Sequence, residues 1–304
     1  MKYFGLLLLG IVLVSCKKET PQDIATETST QATDTTVVEK VFADKGKTSK
    51  LEGLVADFSR LKENTMARLS SLKPEEANKL YDEYEKQNNE IIGRMNVAEG
   101  KLLEDFHNHF YDNNGDPIKL QDSIQHKKDL LEKAGLEFWH IGEGMGEIRA
   151  KHDYYLKMFN DYVTPDYKRF LALQSFDDSD LWSADAGLAI TWEELSQRVI
   201  NWEDFLLKYP GSKLYARASA NYRMYRLSYL FGQDNTPTHE HEGNTLYPEI
   251  VEEYNRFIKK HPDSPTAKIA RQMLRNSGNI GFEGIHEQET TEFQKAYNGY
   301  YDEE

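Results

Sequence analysis

Cysteine is almost absent: among 304 residues only Cys16 occurs, so the chain holds one thiol and no intramolecular partner for it. Long apolar runs are absent after Val14, and nothing downstream supplies the roughly 20 consecutive apolar residues that a membrane-spanning helix needs. Positive charge is scarce. Lys and Arg number 37 against 51 Asp and Glu, a formal net charge of −14 at pH 7. A surface of that sign repels phosphate backbones and anionic headgroups, which argues against nucleic acid as a partner and against electrostatic docking on a membrane. No Gly-x-Ser-x-Gly elbow and no Walker-type loop occurs. Gly142, Gly144 and Gly146 have the wrong spacing for a dinucleotide fingerprint, and Glu143 and Glu147 would repel a pyrophosphate. Nothing in the sequence calls for a cofactor.

What is present begins at the lone cysteine. Lys2 is followed by an apolar run from Phe4 to Val14 and then by Leu13-Val14-Ser15-Cys16, with a small residue just before the cysteine. The run is too short to span a bilayer uncut. This arrangement resembles a bacterial lipobox. The resemblance implies a signal peptide over 1–15, a diacylglycerol on the thiol of Cys16, cleavage before it and an acylated new amino terminus. It makes Cys16 the lipidation site, the membrane a partner through that anchor, and the outer membrane of the cell envelope, on its periplasmic or cell-surface face, the address. Two or three acyl chains, at about 0.8 kcal/mol per buried methylene, anchor a protein durably.

Residues 16–46 are polar and threonine-rich, with Thr20, Thr26, Thr28, Thr30, Thr33, Thr35 and Thr36. Such a composition cannot bury enough apolar surface to offset its ordering entropy, so a disordered tether is expected, with an r.m.s. reach of roughly 30 Å. Lys17-Lys18-Glu19 resembles the signals that direct some lipoproteins to the outer face of the outer membrane. Asp34-Thr35-Thr36 and Asp122-Ser123-Ile124 resemble the sequon of a periplasmic O-glycosylation system.

Helical periodicity starts at Leu51, with Leu54, Val55, Phe58 and Leu61 on one face. Lys73-Pro74-Glu75-Glu76 predicts the start of a long second helix, which stops near Asn113-Asn114-Gly115 and is open to a bend or break at Gly93 and Gly100. A third helix is expected from about Pro117 to Ala134, with Gly135 just past its end. These form an N-terminal helical region over 47–134, arranged as a hairpin or small bundle. Residues 135–151 place a glycine-rich turn between Leu136–Ile141 and Glu147–Ala150 and predict one small β-hairpin, covering or joining the helical parts. A helical domain over 152–276 and an acidic tail over 277–304 complete the organisation. The expected fold class is mainly α.

Residues 202–212, Trp-Glu-Asp-Phe-Leu-Leu-Lys-Tyr-Pro-Gly-Ser, recur 52 positions on as Tyr-Asn-Arg-Phe-Ile-Lys-Lys-His-Pro-Asp-Ser at 254–264, and Ala218 and Ala270 extend the match. Each unit reads as a helix ending at its proline, a tight turn, and a second helix capped by Ser212 or Ser264. Over about 191–276 the pattern resembles the tetratricopeptide-like helix pairs of envelope lipoproteins. It departs in period, since those repeats run about 34 residues, and the excess is an insert from Gly232 to Tyr247. A looser similarity over about 136–276, including Phe231-Gly232-Gln233-Asp234-Asn235-Thr236-Pro237, is to envelope lipoproteins of unassigned function. The resemblance implies a non-catalytic module that binds or scaffolds a protein partner.

The alternative is an envelope hydrolase or metal-dependent enzyme built on His239-Glu240-His241-Glu242, whose alternating imidazoles on an extended segment could approach one ion. His107 and His109 fall on different helix faces. Asp112-Asn113-Asn114-Gly115-Asp116 has acceptors at alternate positions, but Pro117 stands where a calcium loop wants glycine, so a turn is expected. Asp177-Asp178-Ser179-Asp180, with Asp185 nearby, suits a solvated loop and weak cation binding. Glu193/Glu194 and Glu203/Asp204 are adjacent helical acids that point apart. Tyr215, Tyr222, Tyr225 and Tyr229 follow helical spacing and are expected in the core against Trp202 and Phe205.

Overall fold

In a computed structural model, which describes residues 49–279 and 281–301, the first helix opens on a capping box. Ser49 Oγ accepts from the Glu52 amide at 3.2 Å and the Glu52 carboxylate accepts from the Ser49 amide at 2.8 Å, satisfying two end groups reciprocally. The signal peptide 1–15, Cys16 and the tether 16–46 lie outside the described residues.

Helix α1 (Lys50–Leu69) buries Leu51, Leu54, Val55 and Phe58 against α2 (Pro74–Ala98), where Pro74 sits at the first turn and Glu76 accepts from the Lys73 amide at 2.9 Å. Gly93 passes within α2 without a break. The helix ends at Ala98, and Gly100 opens a short α3 (Gly100–Glu104), followed by α4 (Phe106–Phe110). The expected third helix begins five residues later than Pro117, as α5 (Asp122–Ala134), because Pro117 is held in an extended bridge to Tyr111. Gly135 closes α5 in the left-handed conformation at φ 92°, with its amide bonded to Leu131 and Glu132 carbonyls, as the sequence suggested.

Strands β1 (Leu136–Gly142) and β2 (Met145–Ala150) pair antiparallel, Leu136 opposite Ala150 and Phe138 opposite Ile148. Gly146 lies so close to the Phe106 ring that a Cβ there would collide with it. The hairpin joins the parts on either side of it. Asn96 of α2 exchanges two bonds with the Ile148 backbone, at 3.0 and 2.7 Å, and Arg149 donates to the Asp178 carbonyl at 2.9 Å.

Beyond it run α6 (Tyr154–Phe159) and α7 (Pro165–Asp177), the two-residue ladder of β3 (Ser183–Ala184) and β4 (Gly187–Leu188), α8 (Trp192–Lys208) and α9 (Tyr215–Phe231). A second such ladder, β5 (Gly232–Gln233) with β6 (Thr236–Pro237), precedes α10 (Pro248–Lys260), α11 (Pro265–Asn276) and α12 (Gly281–Tyr301). The fold is mainly α, with β1–β2 as the one sizeable hairpin among the described residues; periodicity gave no warning of the two short ladders, which are too brief to carry an alternating pattern. Both lie in loops. They lean on each other, Leu188 donating to Thr236 Oγ1 at 3.0 Å and the Asn235 amide to the Ala186 carbonyl at 2.9 Å.

The segment 277–304 contains α12 where an acidic tail was expected. Phe282 is buried against Phe231, and Glu289 is buried against Arg226 of α9. One continuous core runs from Leu51 to Phe282, with no break between the N-terminal helices and the rest. Among the described residues no helix is long and apolar enough to cross a membrane.

Candidate functional site

The two copies of the repeated segment fold alike. Phe205 of α8 and Phe257 of α10 are both buried, each packed 5.2 Å from the aromatic ring four residues on, Tyr209 or His261. Those two residues end their helices with nearly the same backbone, φ −127° and ψ 55° against φ −130° and ψ 63°. The turn is then closed by the same bond, Ser212 amide to Tyr209 carbonyl at 3.1 Å and Ser264 amide to His261 carbonyl at 3.2 Å. Ala218 and Ala270 are fully buried in the second helices.

The copies diverge at the second helix start. Ser264 caps α11, accepting from the Ala267 amide at 3.2 Å, because Pro265 sets the first helical φ immediately after it. Ser212 does not cap α9. With Lys213 in place of that proline the helix starts only at Tyr215, and Ser212 accepts from Leu214 while donating to Asp166.

Of the tyrosines on α9, Tyr222, Tyr225 and Tyr229 are core and Tyr215 is exposed. Glu203, read from the sequence as one of two adjacent helical acids, is buried at the centre of the helix pairs. One carboxylate oxygen accepts from Tyr222, from Ser264 Oγ and from Thr266 Oγ1 at 3.0, 3.0 and 2.9 Å. Arg226 donates to the Tyr222 hydroxyl at 3.1 Å and pairs with Glu289, so this chain of bonds ties α8, α9, α11 and α12 together.

In the acid run at the end of α7, Asp178 and Asp180 are exposed, as expected of a solvated loop, but Asp177 is not. Asp177 is buried, accepting from the Trp202 indole at 2.6 Å, and Arg198 reaches both its carbonyl at 2.6 Å and its carboxylate at 3.4 Å. Burial nonetheless pushes the Asp177 carboxyl up to about 6; Trp202, Arg198 and Tyr225 pull the other way. Periodicity could not reveal this, because the acid closes a helix whose aromatic neighbours arrive from α8 and α9.

In the insert, His239 is half-buried on the Phe282 ring, 4.5 Å between centroids, with Thr238 Oγ1 at 3.0 Å from Nδ1. Burial, then His286 and His241, lowers its pKa. Glu240, His241 and Glu242 are exposed. Among the described residues no three His, Cys, Asp or Glu side chains converge as a metal site. His107 stacks on Tyr111 while His109 faces Asp105 at 3.7 Å. Asp112 forms the turn expected of it, accepting from the Asn114 and Asp116 amides at 2.8 and 3.0 Å. Those backbone bonds hold its carboxyl below the ordinary value.

A cavity of about 360 Å³, with no counterpart in any sequence motif, opens where β2 meets α2, α7 and the start of α9. On its wall Arg217 forks onto Glu85 at 2.6 and 2.7 Å, and Tyr81 donates to the same carboxylate at 2.7 Å. Arg149 lies 3.4 Å over the Trp139 ring and bonds Glu137 at 3.0 Å. Burial raises the carboxyl pKa of Glu147 and of Asp178, against the pull of Arg149 on both.

No protein-family model, no curated protein and no solved structure matches the chain.

Proposed function

We propose that this protein is a non-catalytic protein-binding or scaffolding module of the cell envelope, held at the outer membrane by lipid on Cys16. The reading rests on the repeated helix pair, α8–α9 and α10–α11, in which sequence register, buried phenylalanine, helix-ending backbone and turn bond recur together. Stacked pairs of this kind, which resemble tetratricopeptide-like units, expose extended surfaces suited to a peptide or partner helix. Leu207 and Tyr215, large apolar side chains left 68 % and 40 % exposed beside the α8–α9 turn, supply contact area there. The lipobox-like Leu13-Val14-Ser15-Cys16 supports the anchor. The acidic net charge, −14, favours a partner with a basic face.

The test is crosslinking in intact cells followed by mass spectrometry, comparing wild type with Leu207→Glu. That change introduces charge at an exposed site and leaves the core alone. A recurring protein partner captured by the wild type and lost in Leu207→Glu is the expected result. Recovery of lipids or glycans alone would reject the scaffold reading.

A further inference from the structure

Arg223 and Arg226 stand together on the face of α9 that α12 covers, in a chain of net charge −14. The two helices run antiparallel there. Phe282 meets Phe231 edge-on at 6.0 Å, Glu289 pairs with Arg226, and Glu292 meets Arg223 at 3.5 Å, so the contacts step back along α9 as they advance along α12. Tyr222 flanks the arginines, its ring centre 5.8 and 5.5 Å from the guanidinium carbons of Arg223 and Arg226. With α12 in place the charges balance, two against two. Uncovered, this face is a basic and aromatic strip on an acidic molecule.

α12 is held there by charge more than by packing. Among its described side chains only Phe282 and Glu289 are buried, whereas α8 buries eight of its 17 residues. An ion pair between two elements that both regain water on separation is a weak latch, because desolvation offsets most of the Coulomb gain. The latch is also incomplete. Arg226 gives one Nη to the Tyr222 hydroxyl and the other to Glu289 Oε1, while its Nε is buried without a partner among the described residues. Glu289 Oε2 leans instead towards Arg223, at 3.8 Å. A carboxylate entering in the guanidinium plane takes Nε and Nη2 together, the forked geometry that makes arginine–carboxylate pairs strong and specific. The unused donor therefore points to an anionic group better placed than Glu289.

The occupant already present shows what carries such a group. Phe282, Ile285, Glu289 and Glu292 are spaced i, i+3, i+7 and i+10, which puts two apolar and two acidic side chains on one helix face. We propose that the α9 face bearing Arg223 and Arg226 is a docking site for an acidic amphipathic helix of a protein partner, which α12 occupies in the free protein and vacates when the partner binds. The proposal rests on reading the protein as a partner-binding module, on a face other than the Leu207–Tyr215 surface. α12 is then a built-in competitor: a partner helix must carry the same apolar and acidic spacing and grip Arg226 better.

Two measurements on the full-length chain in detergent test this. Amide hydrogen exchange on the wild type, which needs no variant, is expected to show α12 exchanging at least about tenfold faster than α9, and faster again in molar salt while α9 is unchanged. Fluorescence anisotropy then uses a labelled synthetic peptide of residues 281–301 as the acidic helix, with protein-free detergent as blank, against the same peptide carrying Glu289→Lys and Glu292→Lys. The native peptide is expected to bind the Glu289→Gln chain at one site, about tenfold or more tighter than the wild type, because that chain's own α12 holds less firmly. Adding Arg226→Gln should abolish the binding, and the charge-reversed peptide should bind neither chain. Protection of α12 equal to that of α9, no binding of the native peptide to either chain, equal affinity of both chains or both peptides, or binding unchanged by Arg226→Gln would overturn the proposal. None of these outcomes bears on the Leu207→Glu crosslinking, so the two readings fail separately.

Discussion

At the residue scale the sharpest consequence attaches to Asp177. In the unfolded chain its carboxyl ionises near the ordinary value of about 4, whereas in the fold burial holds it protonated up to about 6. Between those values the native state binds more protons than the unfolded state, so the Asp177 contribution to stability is fully present below about pH 4 and is lost as pH rises through about 6. The difference is worth about 3 kcal/mol. Chemical denaturation of wild type and Asp177→Asn across this range should show the wild type losing about that much relative to the variant. A constant difference would mean that Asp177 ionises as an exposed aspartate does. Glu203 makes the same point about reading single residues: its identity said only that it was acidic, and three neighbours in space, Tyr222, Ser264 and Thr266, decided that it is a buried acceptor.

At the scale of elements, most of the helices could be read from caps and stripes. The Ser49–Glu52 box, Pro74, Gly135 and the buried faces of α1 and α2 stand where periodicity and capping chemistry put them, because those signals are local. α12 could not be read so. It buries few side chains along its length, chiefly Phe282 and Glu289, and its place is fixed by partners on α9. The repeated pair lies between these cases. Its register and the insert between the copies were visible in the sequence, while the folding of that insert as β5–β6, bridged to the β3–β4 loop, was not. Phe205→Ala and Phe257→Ala should each cost about 3–5 kcal/mol, as for buried aromatic side chains generally. Denaturant melts read by far-ultraviolet circular dichroism check this. A loss below about 1 kcal/mol at either position would mean that the two phenylalanines are not equivalent core anchors.

At the scale of the whole molecule, the anchor and the folded part are separate matters. Under the proposed lipid attachment, Cys16→Ser should abolish acylation and release the protein from the membrane fraction without changing its melting temperature. Metabolic labelling with an acyl-chain analogue checks it, and equal label on wild type and variant would remove Cys16 from the reading. The sequence alone determined the mainly α class, the position of the one sizeable hairpin, the helix-end signals and the register of the repeat. Each of these depends on residues within a few positions of one another, or on matching strings. Tertiary structure alone decided that Asp177 and Glu203 are buried, that α12 docks on α9, and that Glu147, Asp178 and Tyr155 share a cavity. Most of their partners lie on other elements, and burial and charge balance depend on neighbours that only the packing of helices and hairpin brings together.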